Sequence, residues 1–253
     1  MHIDALPAFQ DNYIWLIDNG RQALVVDPGD AGPVLAACRQ RDLDLVGILV
    51  THHHADHCGG LAELLAQGQP AVWGPAGIVG VNQPVRGGDS LYLAELGLRF
   101  DAIAVPGHTL DHLAYYAADP GWLFCGDTLF SVGCGRLFEG TPQQMLDSLD
   151  RLAALPGSTL MFCAHEYTLR NLEFAQAVNP GQPELIAYHS WCVQQRAAGR
   201  PTLPSTMQQQ RALNPFLRVD QSSVQDALMR HWGQAPASRT EALAALRRWK
   251  NQF

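Results

Sequence analysis

Four side chains able to ligate a metal fall within six positions in Thr51-His52-His53-His54-Ala55-Asp56-His57: His52, His54, Asp56 and His57. Imidazole combined with carboxylate suits zinc, iron or manganese, whereas magnesium and calcium prefer shells of oxygen. On a loop, His52 and His54 can converge on one cation while Asp56 and His57 turn towards another. Three later residues follow the same logic: His108 in Val105-Pro106-Gly107-His108-Thr109, Asp127 in Phe124-Cys125-Gly126-Asp127-Thr128, and His165 in Phe162-Cys163-Ala164-His165-Glu166. Each alone would be an ordinary loop residue, but together with the first cluster they complete two coordination shells. Cys58 directly follows the cluster and has no partner cysteine. The six cysteines (Cys38, Cys58, Cys125, Cys134, Cys163, Cys192) form no CxxC pair and read as free thiols of a reducing compartment.

Such ligands need rigid elements behind them. Leu45–Val50 is a nearly continuous apolar run, expected as a strand buried on both faces and ending at the cluster. Tyr13–Asp18 and Gln22–Asp27 form a hairpin through Asn19-Gly20. Further strands are expected at Ala71–Trp73, Leu113–Tyr116, Trp122–Cys125 and Thr159–Cys163, with another hairpin-like stretch at Leu91–Val105. Helices are expected at Val34–Arg41, Gly60–Ala66 and Pro142–Ala154, the last capped by Thr141. Strands stop near His165. Beyond it the periodicity is helical (Leu169–Ala177, Glu184–Ala198, Val224–Trp232, Thr240–Trp249), interrupted around Pro180 and from Pro201 to Pro204. The expected division is an α/β domain at 1–167 and a helical domain at 168–253.

With 253 residues, 47% hydrophobic and 16% charged, the chain can bury a sizeable core. No apolar run reaches the ~18 residues that span a bilayer. No leader-like segment opens the chain, so the cytoplasm is the expected location and no membrane partner is expected. The net charge of −7 argues against nucleic acid as a partner. Residues 1–168 hold 7 basic and 19 acidic side chains, whereas residues 169–253 hold 10 basic and 5 acidic. The first part can hold cations and the second can attract a small anion. Lys250 is the only lysine. No Gly-x-Ser-x-Gly elbow occurs, so no serine nucleophile is expected.

The series His-x-His-x-Asp-His, Gly-His, Gly-Asp and a last His resembles the ligand series of the metallo-β-lactamase superfamily. The resemblance implies an αββα sandwich with a smaller C-terminal helical domain. It implies that His52, His54 and His108 bind one divalent ion, Asp56, His57 and His165 a second, and that Asp127 bridges them. Two ions per chain follow, zinc first and iron or manganese next. His53 has no ligand counterpart, His112 and Asp27 take supporting places, and Asp111 stands where the superfamily usually has glycine. If that backbone takes positive φ, aspartate tolerates it better than most residues.

Gly133-Cys134-Gly135-Arg136-Leu137-Phe138, His165-Glu166-Tyr167, Asn214-Pro215-Phe216-Leu217-Arg218 and Arg247-Arg248-Trp249-Lys250 resemble, in that order, the bacterial glyoxalase II (hydroxyacylglutathione hydrolase) family over almost the full length. The resemblance implies hydrolysis of a glutathione thioester such as S-D-lactoylglutathione, in methylglyoxal detoxification. It implies that Arg136, Phe138, Tyr167, Arg247 and Lys250 hold the glutathione moiety, and that Asp127 and Asp56 orient a metal-bridging hydroxide as the nucleophile. The loop often has lysine and tyrosine where Arg136 and Phe138 stand, and a glutamate usual before Asn-Pro-Phe is replaced in the region Gln208–Gln210. Ser238 and Glu241 fit a capping box for the last helix, which puts Arg247 and Lys250 on one face of its end, with Trp249 and Phe253 as packing residues. A monomer is expected. Two other readings are a mononuclear-iron persulfide dioxygenase and a non-catalytic, metal-stabilised binding module. The first leaves the second shell and the basic tail unexplained; the second predicts lost ligands, and none of the seven is lost.

Overall fold

The computed structural model describes residues 1–253. The first sheet takes β1 (His2–Ala8), β2 (Asn12–Asp18), β3 (Gln22–Val26), β4 (Asp44–Leu49), β5 (Ala71–Gly74) and β6 (Gln83–Pro84) in sequence order. β1 to β3 are antiparallel and β3 to β6 parallel. Parallel neighbours need crossovers, and helices supply two of them: α1 (Ala31–Arg41) between β3 and β4, then α2 (Ala55–Cys58) and α3 (Leu61–Gln67) between β4 and β5. Asp30 caps α1 by accepting from Gly32 N, and Asp42 ends it in the left-handed conformation. Ile14, Leu16, Val25, Ile48, Val50 and Val72 pack with Val34, Leu61 and Leu64 of these helices into one core. The hairpin at Asn19-Gly20 and the buried strand before the histidine cluster both form as the residue pattern predicts.

The second sheet has the order β14-β13-β10-β9-β8-β7. Its strands are β7 (Ser90–Leu93), β8 (Leu98–Ala104), β9 (Leu113–Ala117), β10 (Trp122–Gly126), β13 (Leu160–Cys163) and β14 (Ser205–Thr206). The aromatic side chains between the sheets carry the sandwich. Trp15 of β2 meets the Phe162 ring edge-on at 5.0 Å and donates its Nε1–H to the Cys163 carbonyl at 3.0 Å. Phe162 stacks on Phe124 at 5.0 Å. The αββα architecture expected from the ligand series is therefore present.

The chain forms two compact units. The first holds Met1–Val105, Asp111–Gly126 and Phe162–His165; the second holds Pro106–Leu110, Asp127–Met161 and Glu166–Phe253. In the second, β11 (Leu129–Phe130) and β12 (Gly133–Cys134) form a short hairpin. α4 (Pro142–Ala153) starts in a full capping box between Thr141 and Gln144. α5 (Thr168–Val178), α6 (Pro183–Ala197), α7 (Met207–Leu213), α8 (Ser222–Trp232) and α9 (Arg239–Gln252) complete it, and Leu172, Ala175, Leu185, Cys192 and Leu213 surround Val132 in its core. No helix is long and apolar enough to cross a membrane.

Two expectations need correction. Strands do not end at His165, because Ser205 and Thr206 pair with Met161 and Leu160. α7, capped by Thr206, was not expected either. A two-residue strand has no period of its own and exists through its distant partner, and the Gln208-Gln209-Gln210 run hides the helical apolar face. The capping box of α9 is half formed: Ser238 accepts from Glu241 N, but the Glu241 carboxylate takes the Ala237 N–H.

Candidate functional site

In the first unit the ligand-type residues sit where β4 ends, on the loop into α2, and just past β13. Asp56, His57 and His165 bring one donor atom each within 4.8 Å of one another. His57 Nε2 lies 3.4 Å and His165 Nε2 3.5 Å from Asp56 Oδ2. His52 Nε2 and His54 Nδ1 approach to 3.0 Å. Nitrogen atoms converging in this way repel unless a proton or a cation lies between them.

The outward nitrogens are set by what holds the inward ones. Asp27, 3% exposed, leaves the end of β3 with φ 54°, a conformation aspartate tolerates. Its Oδ1 accepts from Thr51 N at 2.8 Å; its Oδ2 accepts from Thr51 Oγ1 at 2.8 Å and from His57 Nδ1 at 2.9 Å. Because Thr51 spends its hydroxyl proton on Asp27, its oxygen can only accept from His52 Nδ1, 3.0 Å away. Both histidines therefore carry their proton on Nδ1 and leave Nε2 unprotonated. One buried carboxylate sets two ligand tautomers, the usual task of a residue behind a metal ligand. Asp11 does the same for His165, meeting its Nδ1 at 2.8 Å, and Asn12 Nδ2 donates to Asp56 Oδ2 at 3.0 Å. Asp11 and Asn12 were not among the expected site residues; their only local trace is a polar pair at the start of the buried β2. A Cβ at Gly29 would overlap the Asp56 carbonyl, so the turn after Asp27 passes α2 only as glycine.

His112 stacks on His52 at 4.5 Å and donates Nδ1–H to the Leu113 carbonyl. Asp111 is not in the left-handed region, so tolerance of positive φ does not explain it. Its carboxylate instead meets His53 Nδ1 at 3.0 Å, on the exposed side of the histidine run. Burial pushes the Cys58 thiol up, and its Sγ is directed at the His53 and His54 carbonyls, in keeping with a cysteine that ligates nothing.

The second unit holds His108, Asp127 and a cavity of about 490 Å³. His108 donates Nδ1–H to the Arg136 carbonyl at 2.9 Å, and its Nε2 lies 3.4 Å from Asp127 Oδ2. A Cβ at Gly135 would collide with the Asp127 carbonyl, which is why this loop is glycine there. Along the cavity from these two run Phe130, Cys134, Arg136, Phe138, Tyr167, Arg170, Asn171, Arg247, Lys250 and Phe253, so all five residues expected to hold substrate line one space. Arg170 and Asn171 were missed, although they follow Tyr167 on α5 by three and four positions.

One detail of the tail differs from expectation. Arg247 is buried, with Nη1 on the Cys134 carbonyl at 2.7 Å, Nε on Asn251 Oδ1 at 3.1 Å and its guanidinium over Phe216. Phe253 packs edge-on against Phe174 at 5.5 Å, as expected, and, 51% exposed, it also lines the cavity. Lys250 Nζ donates to the Arg170 carbonyl at 2.7 Å. Burial first, then the Arg247 and Arg170 charges, push its pKa down to about 8. A second cavity of about 250 Å³, between α8 and α9, shares no lining residue with the first.

Comparison with known proteins adds the decisive observation. The model of the hydroxyacylglutathione hydrolase C-terminus matches residues 166–253, and that of the metallo-β-lactamase superfamily matches 9–90 and 82–165. The hydroxyacylglutathione hydrolase of Dechloromonas aromatica is 51% identical, over 100% of both chains. That of Albidiferax ferrireducens is 52% identical, again over 100% of both. This chain belongs to the hydroxyacylglutathione hydrolase family. It has the metallo-β-lactamase fold, and among solved structures it resembles ETHE1 from Myxococcus xanthus (25% identity, TM-score 0.65, covering 99% of this chain and 100% of that one). It also resembles TTHA1623, solved in a di-iron-bound form (26% identity, TM-score 0.55, covering 65% and 92%). Relatives of the hydroxyacylglutathione hydrolase family match both the α/β part and the basic helical tail, which favours that reading over a persulfide dioxygenase or a binding module. The clustered histidines and carboxylates mark a divalent-metal site.

Proposed function

We propose that this chain hydrolyses S-(2-hydroxyacyl)glutathione thioesters, such as S-D-lactoylglutathione, to glutathione and a 2-hydroxy acid. The observation that carries this reading is the cavity in which His108 and Asp127 share a wall with Arg136, Arg170, Arg247 and Lys250. A substrate with a reacting carbonyl at one end and two carboxylates at the other matches that polarity. His52, His54 and His108 are assigned to one divalent ion, Asp56, His57 and His165 to a second, and Asp127 to both. The donor set fits such ions, because the ligand histidines held through Nδ1 offer unprotonated Nε2 atoms. Histidine-rich shells favour zinc, with iron or manganese as substitutes. When bound, a pair of such ions acidifies water and polarises a carbonyl oxygen.

The protein's own residues do the rest. Asp127 and Asp56 accept hydrogen bonds from the attacking water and fix its direction. Phe138 and Tyr167 flank the glutathione backbone, while Lys250, Arg170 and Arg136 take its carboxylates. Arg247, whose guanidinium already serves Cys134 and Asn251, adds positive potential and holds the wall. The leaving thiolate is stable near neutral pH, so no protein acid has to protonate it in the transition state. We assign catalysis to residues 1–167, which also lend Arg136, Phe138 and Tyr167 to the substrate, and the rest of substrate binding to the helical part 168–253, acting in a monomer in the cytoplasm.

Purified protein should release thiol from S-D-lactoylglutathione and carry close to two metal ions per chain. A single iron per chain, with oxygen consumed on adding glutathione persulfide, would replace this reading with the dioxygenase. The tail offers a second measurement. Lys250 binds a carboxylate as a cation, and its pKa of about 8 in the free protein means that charge is lost above that pH. kcat/KM should therefore fall as pH rises through about 8, mainly through KM, and the fall should vanish in Lys250→Ala. That variant should lose about tenfold in kcat/KM below pH 8, the low end of a charge-assisted hydrogen bond at 1.4 kcal/mol per decade. Arg248, engaged over Trp232 at 4.1 Å, is the control, and Arg248→Ala should change little. Equal losses in both variants would reduce the tail to general positive charge.

A further inference from the structure

The hairpin between Asp127 and Arg136 turns through Ser131 and Val132, and Val132 is left-handed at φ 57°. A β-branched residue in that region is a genuine outlier and persists only where its surroundings over-determine it. Here the surroundings are three side-chain amides from the helical part. Asn214 Nδ2 donates to the carbonyls of Phe130 at 3.3 Å and Gly133 at 2.9 Å, and Asn171 Nδ2 to that of Ser131 at 3.0 Å. Gln210 Oε1 accepts from Val132 N at 2.8 Å. Four consecutive backbone residues are thus held, all from buried groups. Gln210, wholly buried, is itself held by Ser205 Oγ at 2.9 Å.

The two ends of this turn carry the chemistry. β11 leads back to Asp127, and β12 leads on to Cys134 and to Arg136, whose carbonyl holds the His108 ring. We propose that Gln210, supported by Asn171 and Asn214, is a positioning residue: it holds the Val132 turn in its left-handed form and so places Asp127 and the Arg136 carbonyl. None of the three amides needs to touch the reacting atoms. The proposal rests on the reading of Asp127 and His108 as ligands, but its backbone readout does not.

The test compares Gln210→Leu, Gln210→Glu and the double variant Gln210→Leu/Val132→Gly, assayed well below their melting temperatures. Gln210→Leu strips the acceptor from a buried N–H. It should speed hydrogen exchange at the Val132 amide, lower kcat by about tenfold or more, and change KM less. Gln210→Glu keeps the acceptor and should stay within about threefold of wild type in kcat. Glycine has no penalty at φ 57°, so the double variant should regain much of the lost kcat while melting lower, because the buried Val132 side chain is gone. A merely structural role predicts the opposite, with kcat per folded molecule unchanged and no rescue by glycine. If Gln210→Leu does not fold, Ser205→Ala, which frees the far end of Gln210, should give a smaller loss in the same direction. Unchanged kcat and unchanged Val132 exchange in Gln210→Leu, or in Ser205→Ala as its substitute, would overturn the proposal. Wild-type protein inactive on thioesters yet showing the exchange effect would sink the functional reading and leave the turn lock standing.

Discussion

Asp127→Ala should abolish turnover to within a thousandth of wild type or less, about 4 kcal/mol at 1.36 kcal/mol per decade. It should also remove most of one metal equivalent. Asp127 is 7% exposed, sits where β10 gives way to the hairpin, and points Oδ2 at His108 Nε2. If it serves two cations, its loss uncouples both and leaves no carboxylate on that wall of the cavity to orient the water. The fold should survive, because the hairpin is held by Gln210, Asn171 and Asn214 rather than by the Asp127 side chain. Thermal melting of the metal-free forms should differ by only a few degrees between variant and wild type. Two metals per chain in Asp127→Ala, together with more than a tenth of wild-type kcat, would remove Asp127 from the role assigned here.

Asp27→Asn tests the tautomer argument with a change of one atom. The asparagine oxygen can keep the bond to Thr51 N, but an amide NH2 then replaces the Oδ2 that receives two protons, from Thr51 Oγ1 and His57 Nδ1. The amide and the His57 N–H then face each other as donors. The ring can escape only by moving its proton to Nε2, which removes the lone pair a cation needs. Thr51 is likewise freed to donate to His52 Nδ1 and reverse that tautomer. Metal affinity should fall by about 10–100-fold, the usual cost of losing a partner behind a ligand, and two ligands are affected here. Activity at limiting metal should drop at least as far and recover in part when excess metal is added. Asp27→Glu should not repair it, because one more methylene displaces the carboxylate from the three donors it meets at 2.8 to 2.9 Å. An Asp27→Asn protein that binds metal as tightly as wild type would contradict the proton assignments at His52 and His57.

Much of the site was legible because the chemistry leaves dense local signals. A buried apolar run ending in His52, His54, Asp56 and His57 announces a strand and a ligand loop in one stretch, and the structure places Asp56, His57 and His165 together. Hairpin turns, helix caps and the switch from strands to helices rest on neighbours in sequence, and most appeared where expected. The basic tail was visible as composition, since 10 of the 17 basic residues lie beyond position 168.

What sequence could not supply depended on distant partners. Asp11 meets His165 across 154 positions, and Arg247 reaches Cys134 across 113. No local pattern says that a lone aspartate before β2 will orient an imidazole, or that the guanidinium expected to bind substrate is largely occupied by the protein. β14 exists only because β13 offers it a ladder, and Lys250 loses part of its proton affinity only because burial and two arginines surround it. The sequence alone determined which residues are chemically able to hold metal and anion, since that depends on side-chain type and near spacing. Tertiary structure alone decided which nitrogen faces outward, which cation is still available and which backbone turn is strained, since each depends on atoms that meet only after the chain has folded.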